Sequence, residues 1–160
     1  MIDFVINEIK MRYYNDDWVE YQRPNKKWKK CGIYNHKKIY KNITFTINKK
    51  IYKYYLHRVI YYVFNQEWNI NDISKDNKID HIDHPVGQIL NNSISNLRVA
   101  TQQQNTFNRN CRGYYFDKKT NKYHAQIKIN GKLIYLGYFE KEDDAKQAYL
   151  NAKLIYHIIE

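Results

Sequence analysis

Apolar and polar residues alternate with a period of two at Ile43, Phe45 and Ile47, break at Asn48-Lys49-Lys50 and resume from Ile51 to Leu56, which predicts a β-hairpin. The period then lengthens to that of a helix: Val59, Ile60, Val63 and Phe64 share one apolar side before Asn65 and the loop around Trp68. Nearer the N-terminus, Ile2, Val5, Ile6 and Ile9 fit a short helix, and the following Asp16-Asp17-Trp18 has no assignable chemistry. Further along, Lys78-Ile79-Asp80-His81 predicts the end of a strand and Leu97-Arg98-Val99-Ala100 its partner. Thr101 then caps a helix running through Gln104, Asn105 and Asn108.

A polar joint at Arg109-Asn110-Cys111-Arg112-Gly113 separates a second pattern. Three apolar runs, 114–116, 123–129 and 134–139, are divided by turns at Asn121 and at Asn130-Gly131, the second a strong hairpin signal. A helix follows, with Glu142, Asp143 and Asp144 in its first turn, where negative charge suits the dipole. Its Ala145, Ala148, Tyr149 and Ala152 make a narrow face that lets it lie close to a sheet. Tyr114, Phe116, Tyr123, Ile127, Ile134, Leu136 and Phe139 are read as the core of this unit. The expectation is α+β, with domains over 1–110 and 111–160.

Composition sharpens the class of partner. A net charge of +11 and a pI near 9.5 in 160 residues point to a polyanion. The charge is uneven: residues 21–60 hold twelve Lys or Arg and no acid, whereas 61–100 hold three basic and five acidic residues. In the basic stretch Arg23, Lys26, Lys27, Lys29, Lys30, Lys37 and Lys38 interleave with Trp28, Tyr34 and Tyr40, pairing phosphate contacts with flat aromatic surfaces. No stretch is long and apolar enough to span a bilayer, and the N-terminus lacks a signal-peptide layout, so a soluble intracellular protein is expected. Cys31 and Cys111 lie far apart and belong to no Cys-x-x-Cys pair, which indicates reduced thiols and no zinc ribbon.

The densest chemistry lies between Asp80-His81-Ile82-Asp83 and Asn105, with Asn91-Asn92 and Asn96-Leu97-Arg98 between them. An imidazole titrating near neutrality takes a proton from water, while carboxylate and amide oxygens suit a hard divalent cation that stabilises phosphate charge. That combination suits phosphodiester cleavage. Consecutive strand residues point to opposite faces, so an Asp80-His81 pair sharing one site implies a bend. Asp83, Asn91 and Asn92 read as turn formers, His84 before Pro85 as a loop residue, and His57 either as a helix-start histidine packed against the site or as a direct catalytic part.

The segment from about Leu56 to Asn108 resembles the HNH nucleases, in particular the homing endonucleases of introns and other mobile genetic elements. The resemblance implies a ββα-metal module in which Asp80 and Asn105 hold Mg²⁺ or Mn²⁺, His81 activates water and Asn96 orients His81 or the loop. Asparagine stands last where the family name has histidine, which leaves Asn108, one helical turn beyond Asn105, as an alternative ligand. Arg58 and Arg98 are candidate contacts to the DNA backbone.

The segment from about Arg112 to Tyr156 resembles the Apetala or ethylene-response-factor DNA-binding domain. The resemblance is carried by Arg112-Gly113, Tyr123-x-Ala125-x-Ile127, Tyr135-Leu136-Gly137-x-Phe139 and the Ala145-x-x-Ala148-Tyr149 helix. It implies a three-stranded antiparallel sheet with one packed helix, the sheet entering the major groove. The readers would be Arg112, Tyr115, Lys122, His124, Gln126, Lys128, Tyr135 and Tyr138. The two resemblances together predict a site-specific DNA endonuclease acting on double-stranded DNA, leaving 5′-phosphate and 3′-hydroxyl ends, nicking if a monomer with one site. The alternative is a DNA-binding regulator that no longer cleaves; an RNA-binding protein is a weaker third reading, since no RNA-recognition signature is present.

Overall fold

A two-residue turn at Asn7-Glu8, both with positive φ (49° and 66°), folds the first fifteen residues into a hairpin. In this computed structural model, which describes residues 1–15, 17–36, 40–83, 91–108 and 111–158, the hairpin strands are β1 (Ile2–Ile6) and β2 (Ile9–Asn15). The short helix expected there is therefore corrected to two strands. The spacing of Ile2, Val5, Ile6 and Ile9 mimics a helix only because the turn intervenes; within the strands Phe4, Ile6, Ile9 and Met11 point inward and Val5 is exposed. The hairpin continues through β3 (Trp18–Gln22) and β4 (Trp28–Lys30) into a four-stranded antiparallel sheet.

A second antiparallel sheet holds β5 (Gly32–His36), β6 (Tyr40–Ile47) and β7 (Lys50–Tyr55). The expected hairpin is present, but its turn is only Asn48-Lys49, again at positive φ, and Lys50 already pairs with Ile47. Helix α1 (Leu56–Phe64) follows directly and buries Leu56, Val59, Ile60 and Val63. Phe64, expected on that face, is 48% exposed and meets Tyr13 edge-on. Both sheets and α1 share one hydrophobic cluster, in which Tyr21 of β3 stacks on Phe45 of β6 at 4.8 Å. Lys41 reaches Asp17 at 2.6 Å and holds its carboxyl below the usual range. Lys37, Lys38, Asp16, His84, Pro85, Arg109 and Asn110 lie outside the described residues.

Strands β8 (Lys78–His81) and β9 (Leu97–Ala100) form a two-stranded sheet, and a 3₁₀ turn, Ile94–Asn96, leads into β9. The chain divides into two compact units, Met1–Val99 and Ala100–Glu160. The break falls earlier than the polar joint near residue 110, so helix α2 (Gln102–Phe107) belongs to the second unit. Thr101 caps it through a reciprocal box with Gln104: the Thr101 hydroxyl accepts from the Gln104 N–H, and Gln104 Oε1 accepts from the Thr101 N–H.

The rest of the second unit is an antiparallel sheet of β10 (Tyr114–Asp117), β11 (Lys122–Ile129) and β12 (Lys132–Phe139), packed by helix α3 (Glu142–Tyr156). Tyr149 and Ala152 of α3 pack with Ile127 of β11, and Ala145 and Ala125 are buried as well. One helix with a small-residue face covers only the middle of the sheet. Phe116 and Ile134, expected in the core, are accordingly 46% and 38% exposed. The molecule is mixed α+β, with mostly antiparallel sheets and few helices.

Candidate active site

Strand β8 delivers Asp80 and His81 side by side, and both are 1% exposed. Burial removes both side chains together from bulk water. The His81 ring is fixed by Asn92, whose Oδ1 lies 2.9 Å from Nε2. An amide oxygen only accepts, so in this arrangement Nε2 carries the hydrogen and Nδ1 is the basic nitrogen. Asn92 is thus a buried partner of the imidazole rather than the turn former its residue type suggested. Its neighbour Asn91 does form the turn, accepting from the Ser93 N–H at 2.9 Å.

Asn96 knits the segment that follows β8. Its Oδ1 accepts from the Asp83 N–H and its Nδ2 donates to the Asn91 carbonyl, both at 2.8 Å, while its own carbonyl accepts from the Ile82 N–H. Three bonds from one half-buried turn tie residues 82–83 to residue 91.

Arg98 of β9 donates through Nε and Nη2 to Asp80 Oδ2, at 3.2 and 3.0 Å. A buried carboxylate needs such a partner, because an uncompensated charge away from water is costly. Arg58 is similarly committed: its guanidinium donates to the carbonyls of Ile70, Asp72 and Asn77 and lies over the Trp68 ring at 4.6 Å. It stitches the segment after α1, a structural occupation that its residue type alone does not indicate.

A cluster of rings backs His81. His57, at the start of α1, meets it edge-on with centroids 5.0 Å apart, while Tyr55 stacks on His57 at 5.4 Å and Tyr40 lies within 6.1 Å of His81. Burial first, and then the neighbouring His81 and Arg58, push the His57 imidazole down to about 3. His57 is therefore a neutral wall at physiological pH.

Asn105 is half-buried on α2 in the second unit, and Asn108 caps that helix's C-terminus. Among the described residues no group of three His, Cys, Asp or Glu side chains gathers to hold a metal. The available donors are instead one buried carboxylate and asparagine amides. Such hard oxygens fit Mg²⁺ or Mn²⁺ in the mode where few protein ligands are supplemented by water and substrate phosphate.

Of the predicted DNA contacts, Tyr115, His124, Gln126, Lys128, Tyr135 and Tyr138 lie on one face of the β10–β12 sheet. Lys122 pairs with Glu140 at 2.7 Å, and Arg112 lies over the Tyr114 ring at 5.7 Å. In the first unit, a groove of about 840 Å³ is lined by Lys10, Arg23, Lys26 and Lys27 with Glu8 as its lone acid. Buried Cys31 has its thiol pushed up to about 12 by desolvation and is inert, while Cys111 is exposed. No helix among the described residues is long and apolar enough to cross a membrane.

Comparison with known proteins finds similarity to a protein of Acanthamoeba polyphaga mimivirus named as an uncharacterized HNH endonuclease, 37% identical over 103 residues. The match covers 61% of this chain and 50% of the relative, so the chain spans half the length of the curated protein it matches. No family model and no solved structure matches.

Proposed function

We propose that the chain is a metal-dependent DNA endonuclease of the homing type, with a nuclease segment around Asp80–Asn105 and a C-terminal DNA-binding sheet that shares the architecture, three strands under one helix, of the Apetala domain. The observation that carries this reading is the buried Asp80-His81 pair, with the imidazole oriented by Asn92 and the following segment tied by Asn96. The distant relative's name supports a nuclease.

In this reading His81 Nδ1 takes a proton from water, whose oxygen attacks phosphorus as the bond to the 3′ oxygen breaks; the departing 3′ oxygen takes a proton from solvent, leaving a 5′-phosphate and a 3′-hydroxyl. Asp80 and Asn105 would hold Mg²⁺ or Mn²⁺, which when bound supplies charge stabilisation for the phosphate and the leaving oxygen. Arg98, which pairs with Asp80 and keeps part of its side chain exposed, would also meet a phosphate oxygen. Neutral His57 beside the base keeps a second positive charge away from it. The basic groove of the first unit tracks the backbone of double-stranded DNA by charge, without reading sequence. A single such site in a monomer would nick one strand.

Incubating supercoiled plasmid with the protein and Mg²⁺ or Mn²⁺ tests this. Nicked or linear product is expected, and His81→Ala should abolish it while leaving DNA retardation on a gel intact. Unchanged cleavage by His81→Ala would sink the assignment. The Arg98–Asp80 ion pair favours a second reading, a DNA-binding protein that does not cleave, because it occupies the carboxylate a metal would use. Retardation without nicking in either metal would select that reading.

A further inference from the structure

The outer face of the second unit's sheet carries a plate of four rings. Tyr115 of β10 pairs across with His124 of β11, which pairs in turn with Tyr138 of β12, so three rings form one row across the strands. With strands about 4.8 Å apart the row is roughly 10 Å wide. Tyr135 joins the same face although it lies three residues from Tyr138, an odd separation that would place it on the opposite side of a regular strand. A bulge resolves this: Ala125 pairs with Gly137 but the next residue, Gln126, pairs with Tyr135, leaving Leu136 as the extra residue. Gly137, at φ 136°, has the conformation the irregularity needs.

The rings touch one another around His124. Its ring stacks on Tyr135 at 5.1 Å and lies 4.9 Å from Tyr115 and 5.1 Å from Tyr138, and the two β12 tyrosines are 5.7 Å apart. The Tyr138 hydroxyl donates to Asp117, which steadies that ring. Yet the three tyrosines are 49%, 56% and 44% exposed, so the cluster buries no core. A contiguous aromatic patch left open to water marks a binding surface.

Two features identify what it binds. Lys128 lies on the same face as the plate, and residues 111–140 hold six Lys or Arg against two acids, Asp117 and Glu140, a net positive balance that complements phosphate. None of β10, β11 or β12 contains arginine, so the bidentate guanidinium that reads guanine in a duplex groove is missing from the strands. A duplex presents base edges and keeps its π-faces inside the stack, whereas an unpaired strand offers both faces of every base.

We propose that this face binds an unpaired DNA strand, stacking two or three bases on the Tyr115–His124–Tyr138–Tyr135 plate while flanking lysines such as Lys128 hold the phosphates. The proposal does not depend on whether the chain cleaves. Fluorescence-anisotropy titration of the full chain with a 12-nucleotide single strand, its duplex, an abasic strand of equal length and the corresponding RNA tests it. The intact DNA strand should bind about tenfold or more tighter than the abasic strand. Tyr135→Ala and Tyr138→Ala should each lose roughly tenfold on the intact strand only, with Tyr135→Phe and Tyr138→Phe retaining affinity. Equal affinity for the abasic strand, a loss of duplex binding in the alanine variants as large as the loss on the intact strand, or a preference for RNA would each overturn the proposal. So would alanine variants that bind the intact strand like the parent.

Discussion

His57 and His81 are ring neighbours 5.0 Å apart, but only one of them is proposed to exchange a proton. His57 has its imidazole pushed from 6.5 down to about 3 by burial among Tyr40, Tyr55 and His81, with the charges of His81 and Arg58 adding to the effect. The unfolded chain therefore binds this proton more readily than the folded one. Its contribution to stability is complete above pH 6.5 and is lost as pH falls from 6.5 towards 3, at up to about 1.4 kcal/mol per unit. Lowering the pH from 7 to 5 should cost about 2 kcal/mol through this group, measured as a fall in urea midpoint. His57→Gln should flatten that slope; an unchanged slope would mean that His57 is accessible to protons in the fold. The sequence left this position open between a packed helix-start histidine and a catalytic part, and the packed reading was legible because the residue precedes an apolar helical stripe. The role of Asn92 was not, since Asn91 and Asn92 look alike in one dimension. Only the tertiary position separates the turn-forming amide from the one that meets His81 Nε2.

At the scale of elements, the second unit hangs on one close approach. Gly113 precedes β10 at φ 69°, and a Cβ built there would lie 2.0 Å from the Tyr149 ring of α3. The Tyr149 side chain is buried and cannot swing away, so Gly113→Ala combines backbone strain with overpacking. It should destabilise the second unit by about 2–4 kcal/mol while leaving the first unit's unfolding unchanged, read by hydrogen exchange at β11 and β6 respectively. The Arg112-Gly113 signal was thus legible, as were the Asn121 and Asn130-Gly131 turns, because positive φ concentrates in a few residue types. The N-terminal hairpin was hidden for the complementary reason. Its turn is Asn7-Glu8, and glutamate at φ 66° is no turn signal, so four isoleucine and valine positions spanning the turn took on helical spacing. The bulge at Leu136 was equally silent: Tyr135 and Tyr138 were both expected to face outward, which strict alternation forbids and only the irregular register permits.

Across the whole molecule the two units differ sharply in what holds them. Among the described residues, seventeen buried hydrophobic residues form the main cluster of the first unit, drawn mostly from both sheets and α1, whereas Ile127, Tyr149 and Ala152 are the buried members of the second unit's cluster. Small units bury a smaller fraction of their surface and have less to set against chain entropy. The second unit also leaves large residues in water, among them Leu133, Leu154 and Ile155, each above 60% exposed. The full chain should therefore unfold in two transitions, with the second unit first, and a single transition would show that the units stabilise one another. Calorimetry with hydrogen exchange assigns the order: amides of β11 and β12 should open before those of β2, β6 and α1. A ligand that binds only one unit raises only that unit's transition, by about 2.7 kcal/mol at a hundredfold excess over its dissociation constant. A short unpaired DNA strand should accordingly raise the first transition and leave the second in place. The reverse pattern would move nucleic-acid binding to the basic groove of the first unit, where Lys10, Arg23, Lys26 and Lys27 offer charge but no stacking plate.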